Sequence, residues 1–165
     1  NDVLRAGGGA DLLSGNAGEE MLRGGAGADT LFGAGEDDML FGGDGDDRLD
    51  EGGGHGGLEG GPGADTLVGG MGPDAFVIDR MSGDDVVLDF TAGPGMFDHI
   101  AIRDLRWEDL SFEDAAEGVR ISWDGGSVRL LGVAMRDLAQ DDFMFADSPD
   151  LPPAARRPAG PAEER

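Results

Sequence analysis

Cysteine and lysine are both absent from this chain of 165 residues, so it can form no disulfide and hold no metal through thiolate. The missing cysteines do not assign a compartment, although they suit a chain that is exported unfolded. Positive charge is scarce: 12 arginines stand against 35 acidic residues, for a formal net charge of −23. Such a chain repels phosphates, which excludes nucleic acid as a partner and makes divalent cations the natural counter-charge. No apolar run approaches membrane-spanning length, and no N-terminal signal peptide is visible. Histidine occurs only at positions 55 and 99, and no H-E-x-x-H, G-x-S-x-G or phosphate-binding loop is present. Glycine runs that look like G-x-G-x-x-G do not join a strand to a long helix. Aspartate pairs that look like glycosidase carboxylates come with no cleft or aromatic sugar platform. No enzyme activity is expected from these residues.

What the chain has in excess is glycine, 32 residues, and their placement is ordered. From Ala6 to Val77 a nine-residue pattern, G-G-x-G-x-D-x-U-x with U large and apolar, repeats without a gap. Its clearest copy is Gly42 to Asp50, and Asn1 to Arg5 is the tail of an earlier copy. The sixth position reads Asp2, Asp11, Glu20, Asp29, Asp38, Asp47, Gly56, Asp65 and Asp74. The eighth reads Leu4, Leu13, Leu22, Leu31, Leu40, Leu49, Leu58, Leu67 and Phe76.

Each unit reads as a loop followed by a very short strand. Glycines permit positive φ and tight backbone approach, so that loop carbonyls can converge. The x-U-x triplet is extended and turns its one apolar side chain to one face. So short a strand cannot bury a core alone, and the copies must stack. Two nonapeptides with strands on opposite sides make a coil of 18 residues. The leucines then meet in the middle, and each aspartate sits at a turn above another. Carboxylates and carbonyl oxygens at stacked turns form a hard-oxygen cage suited to calcium.

The repeat resembles the RTX family of secreted bacterial proteins. That resemblance implies an all-β fold, a right-handed parallel β-roll, with several calcium ions between successive coils and export through a type I secretion machinery. It also implies a ligand set. One turn gives its second and fourth carbonyls and its aspartate; the turn one coil later gives its first and third carbonyls and its aspartate. Carried over, the carbonyls are those of Gly7 and Gly9 with Gly24 and Ala26, of Gly25 and Gly27 with Gly42 and Asp44, and of Gly43 and Gly45 with Gly60 and Pro62.

Stacking every second copy gives two columns of turns. One carries Asp11, Asp29, Asp47 and Asp65, and every fourth position in it is glycine. The other carries Asp2, Glu20, Asp38, Gly56 and Asp74; there Asn16 replaces a glycine, Glu36 takes a fourth position and Glu51 a first. Glu20 is one methylene longer than aspartate, and Gly56 has no carboxylate. The first column is therefore expected to hold calcium better than the second.

Beyond Val77 the pattern loosens. Arg80 to Leu88 fits after a two-residue insertion, and Ala92 to Ala101 is one residue longer than the repeat. Asp85 and Asp98 there either extend the calcium columns or make turn contacts at strand starts. Val119 to Trp123, the Asp124-Gly125-Gly126 turn and Ser127 to Leu131 predict a hairpin. Trp107, Leu110, Phe112, Val133 and Leu138 supply apolar material for a cap over the open end of the solenoid. Leu138 to Ala146 resembles the acid-then-aromatic ending found near RTX secretion signals. From Ser148 to Arg165 five of the eight prolines accumulate, and disorder is expected.

The expected organisation is a β-roll over 1–77, a degenerate continuation over 78–104, a capping flank over 105–147 and a disordered tail over 148–165. The chain starts in mid-repeat without Met and so reads as the C-terminal part of a larger secreted protein with a passenger domain upstream. Its expected place is extracellular, with cell-surface association as a variant. Alternatives are a stiff spacer in an adhesin or S-layer protein, and the end module of a secreted hydrolase.

Overall fold

The computed structural model describes residues 1–93 and 97–145. The tail over 148–165, and residues 94–96 within the last loose repeat, lie outside the described residues. The strands in chain order are β1 (Val3–Gly8), β2 (Leu12–Ser14), β3 (Met21–Ala26), β4 (Thr30–Phe32), β5 (Met39–Asp44), β6 (Arg48–Gly53), β7 (Gly57–Glu59) and β8 (Thr66–Met71). They continue as β9 (Ala75–Ile78), β10 (Asp84–Val87), β11 (His99–Ile102), β12 (Ser111–Ala115), β13 (Gly118–Trp123), β14 (Gly126–Leu131) and β15 (Phe143–Phe145).

From β1 to β11 odd and even strands part into two sheets, as a loop–strand repeat of half a coil requires. One sheet has the order β1-β3-β5-β7-β9-β11-β15, the other β12-β13-β14-β10-β8-β6-β4-β2. Within the repeats every pairing is parallel and joins residues 18 apart, as in Leu22 with Leu40 and Leu31 with Leu49. The result is a parallel β-solenoid of about 5 coils.

The eighth-position side chains form the core between the sheets. Leu22, Leu31, Leu40, Leu49, Leu58, Leu67 and Phe76 are wholly buried, with Val87 and Ile100 behind them. From β2 to β6 the eighth-position side chain is buried and the residues on either side of it are not, because alternate side chains of a strand face opposite ways.

The C-terminal part extends the same two sheets. The expected hairpin forms, with Trp123 opposite Gly126, and its second strand, β14, lies parallel to β10 with Val87 beside Leu130. Strand β12 adds an antiparallel neighbour to β13, which the sequence pattern does not announce. The acid-then-aromatic stretch contributes β15, which pairs with β11 as the last strand of the first sheet. Trp107 stacks near Phe112 at 5.1 Å and meets Phe143 edge-on at 5.2 Å, so aromatic rings cover the end of the core.

Candidate calcium sites

In the first column the backbone N–H at each sixth position donates to Oδ1 of the aspartate one coil further on. Asp11 donates to Asp29 at 2.8 Å, Asp29 to Asp47 at 2.7 Å, Asp47 to Asp65 at 2.8 Å and Asp65 to Asp85 at 3.0 Å. One oxygen of each carboxylate is thereby fixed. The other, Oδ2 of Asp29, Asp47, Asp65 and Asp85, is buried without a hydrogen-bond partner. A single buried orphan of this kind costs about 1–3 kcal/mol or more when charged. Its recurrence in register marks a demand for a cation.

The first-position glycines let these carboxylates close on the backbone. A methyl at Gly42 would stand 2.3 Å from Asp47 Oδ2 and 2.6 Å from the carbonyl oxygen of Gly60. At Gly24 it would stand 2.3 Å from Asp29 Oδ2 and 2.7 Å from the oxygen of Gly42. At Gly60 it would meet Asp65 Oδ2 at 2.1 Å. The absence of a side chain at the first position thus brings carboxylate and carbonyl oxygens together at each turn.

The other candidate carbonyls also face these turns. Those of Gly7 and Gly9 lie under Gly25 and Gly27, and those of Gly25 and Gly27 lie under Gly43 and Gly45, so close that any Cβ there would meet oxygen within 2.0 to 2.3 Å. The third-position oxygens of Ala26, Asp44 and Pro62 accept N–H bonds from Gly9, Gly27 and Gly45 at 2.7, 2.7 and 2.9 Å. A carbonyl has two lone pairs, so each keeps one. Asp2 is exposed and Asp11 half-buried at the start of the stack. Among the described residues no three His, Cys, Asp or Glu side chains gather at one point. The donors at a turn are carboxylates one coil apart together with carbonyls, a set that fits calcium rather than softer metals.

The second column follows the same scheme with substitutions. Glu20 N–H donates to Asp38 Oδ1 at 2.8 Å, and Gly56 N–H to Asp74 Oδ1 at 2.9 Å. Glu20 Oε2, Asp38 Oδ2 and Asp74 Oδ2 are buried and unpartnered. Asn16, Ala34 and Glu36 hold positive φ of 75°, 98° and 73° where the first column has glycine, which strains this edge. The continuation ends differently on the two edges. Asp98 Oδ1 accepts the N–H of Asp74 at 2.9 Å, and its Oδ2 accepts that of Thr91 at 2.8 Å, so Asp98 has no spare oxygen of the kind Asp85 has. Asp89, not anticipated from sequence, takes the amides of Gly69 and Gly70 at 3.0 and 2.8 Å.

Burial, with the neighbouring carboxylates second, raises these acids. Asp65 and Glu51 are pushed up to about 7, Asp74 to about 6 and Asp85 to about 8, and Asp38, Asp47 and Asp98 also rise. Negative charge is therefore disfavoured in these turns unless a cation offsets it.

Fold and turns define a parallel β-roll whose two edges are lined by oxygen donors. The family described as RTX calcium-binding nonapeptide repeat (4 copies) matches residues 1–31, 14–49, 23–57 and 58–76. The repeat region of this chain belongs to that RTX family. Comparison with curated proteins found no match. Among solved structures, the extracellular lipase LipA from Serratia marcescens is similar in fold, with a TM-score of 0.54 at 16% identity over 87% of this chain. The chain spans 38% of that lipase chain. The AlgE6R3 subunit from the Azotobacter vinelandii mannuronan C5-epimerase aligns at 25% identity and a TM-score of 0.47, over 97% of this chain and 91% of that one. The matched family is described as a calcium-binding repeat. Among the described residues no helix is long and apolar enough to cross a membrane.

Proposed function

We propose that this calcium-binding RTX module folds on calcium after export through a type I secretion machinery, as the C-terminal part of a larger secreted protein. The observation that supports this is the pair of columns of buried carboxylate oxygens without partners. Without a counter-charge, the aspartates repel one another along each edge, and ordering so many glycines costs chain entropy, so the unfolded chain is favoured. Bound calcium supplies the positive charge that these oxygens lack, and binding energy becomes folding energy. The proposed donors are Asp11, Asp29, Asp47, Asp65 and Asp85 on one edge and Asp2, Asp38 and Asp74 on the other, with the loop carbonyls described above. Concentrations of ~10⁻⁴–10⁻³ M, typical for extracellular modules, would fill them outside the cell. Residues 105–145 then serve as the cap of the last coil.

Circular dichroism of the chain in chelator and in millimolar calcium tests this reading. The chain is expected to lack sheet signal in chelator and to gain it in calcium, with magnesium much less effective because it demands smaller octahedral cages and dehydrates reluctantly. Identical sheet content with and without calcium would overturn it.

A further inference from the structure

The copy from Glu51 to Glu59 departs from the pattern twice: its first position is Glu51 rather than glycine, and its sixth is Gly56 rather than aspartate. Along the chain these are two defects. In the fold they meet. In the neighbouring copies the first-position glycine lies against its own sixth-position aspartate: a methyl at Gly33 would stand 2.5 Å from Asp38 Oδ2, and one at Gly69 2.5 Å from Asp74 Oδ2. Here the relation is reversed. A methyl at Gly56 would stand 2.2 Å from Cγ of Glu51 and 2.6 Å from its carboxyl carbon. Glu51 reaches from the opposite end of the loop into the space that an aspartate at position 56 would fill.

We propose that Glu51 is a calcium ligand of the second column, replacing the sixth-position carboxylate that this copy lacks. This rests on the reading of the module as calcium-binding and extends it to a side chain at a position where the repeat pattern offers only a carbonyl. Glu51 is 0% exposed, although it is a carboxylate with no cationic partner among the described residues. Its Oε1 accepts the N–H of Asp38 at 3.5 Å, the rung that an aspartate makes at 2.8 Å one coil earlier. The longer rung reflects entry from another register, which limits how closely the carboxylate can align with the amide. Its Oε2 is buried without a partner, as is Oδ2 of Asp38 before it and of Asp74 after it. Glu51 therefore reproduces both halves of the aspartate arrangement: one oxygen on the ladder, the other free in the turn. The edge then offers carboxylates in sequence at Glu20, Asp38, Glu51 and Asp74, without a gap at the fourth coil.

The same packing explains why both substitutions occur together. An aspartate at 56 would collide with Glu51, and a glycine at 51 would leave the turn without any carboxylate. Each is tolerable only with the other.

The test is isothermal titration calorimetry of the full chain with calcium, counting bound ions, alongside dichroism in calcium and in chelator. Four variants are compared: Glu51→Gln, Glu51→Gly, Gly56→Asp, and the exchange Glu51→Gly with Gly56→Asp. Glu51→Gln keeps the shape and removes the charge. It should lose bound calcium or weaken the affected site by about tenfold or more, since even groups behind metal ligands are worth about 10–100-fold. It should not reduce folding in chelator, where the lost charge relieves repulsion. The exchange variant should regain the wild-type ion count, while Gly56→Asp alone should not exceed it. If Glu51→Gln binds the wild-type number of ions at wild-type affinity, Glu51 is not a ligand, although the module remains a calcium binder. Glu51 is equally ruled out if the exchange binds no better than Glu51→Gly. A wild-type chain that takes up no calcium would overturn this inference and the broader reading together.

Discussion

The amide of Asp47 donates to Oδ1 of Asp65 at 2.8 Å, and Oδ2 of Asp65 is left buried with no partner. The bond joins two coils and at the same time aims the free oxygen into the turn between them. Each aspartate in the ladder therefore holds the coil before it and presents a free oxygen to the turn where calcium is proposed to bind. Structural and binding roles are not separable at these positions by deletion alone. They separate under a substitution that keeps the acceptor and removes the charge.

Asp47→Asn should keep a carbonyl oxygen for the Asp29 amide and lose an anionic donor from the turns on both sides. It is expected to raise the calcium midpoint for folding about tenfold or more. Asp47→Ala also gives up the rung, a further loss of about 1 kcal/mol. Calcium titrations followed by dichroism check both. Asp38→Ala should cost about as much as Asp47→Ala, because Glu51 keeps the second column stocked with carboxylate. A much smaller effect at Asp38 would mean that the second edge binds poorly, as the substitutions along the chain suggest.

Acid should partly replace calcium. Asp65 and Glu51 near 7, Asp85 near 8 and Asp74 near 6 all lie above their usual values, mainly through burial. A raised folded-state value means that the protonated form favours the fold. Stability from these groups is present in acid and lost as pH rises through about 6 to 8. Calcium-stripped protein should therefore show more sheet at pH 5 than at pH 8. With calcium present the trend reverses, because protons compete for the donor oxygens. Dichroism against pH in the two conditions checks the crossing. Asp85→Asn should raise the sheet content of the stripped protein at pH 8.

Much of this was legible because the repeat carries its own register. Leucine at every eighth position placed Leu40 and Leu49 in opposite sheets, and the Asp124-Gly125-Gly126 turn announced the hairpin. What was not legible depends on contacts distant in sequence. Phe143–Phe145 reads as a short aromatic run, and only its parallel pairing with Ile100–Ile102 makes it a strand of the roll. The place of Glu51 was hidden because the first and sixth positions of a loop are apart in sequence and in contact in space. An odd acid at one paired with a missing acid at the other is the signal that could have found it.

The end of the roll offers a stability test. Strand β14 covers the edge of β10, and β15 covers that of β11. Deleting residues 105–165 removes both and bares Val87 and Ile100 with two open strand edges. The truncated chain should need more calcium to fold or should aggregate, which light scattering during the titration detects. Deleting only 148–165 should leave the midpoint unchanged. A monomeric long deletion with an unaltered midpoint would remove the capping role.

Two glycines separate site geometry from backbone freedom. Neither Gly35 nor Gly42 has φ in the left-handed region, so alanine is conformationally acceptable at both. At Gly35 an added methyl meets nothing within 4 Å. Gly35→Ala should therefore be neutral or stabilising by about 0.4–1 kcal/mol, through the narrower unfolded ensemble. At Gly42 the methyl would lie 2.3 Å from Asp47 Oδ2 and 2.6 Å from the carbonyl oxygen of Gly60, against two proposed donors. Gly42→Ala should displace the Asp47 carboxylate, press on the Gly60 carbonyl and raise the calcium midpoint several-fold, although the substitution adds no charge. In acid without calcium Gly42→Ala should still be the less stable of the two, because its methyl meets a backbone oxygen whether or not an ion is bound. If Gly42→Ala binds calcium like Gly35→Ala, the cation does not sit between Asp47 and the Gly60 carbonyl, and the donor set proposed for that turn is wrong.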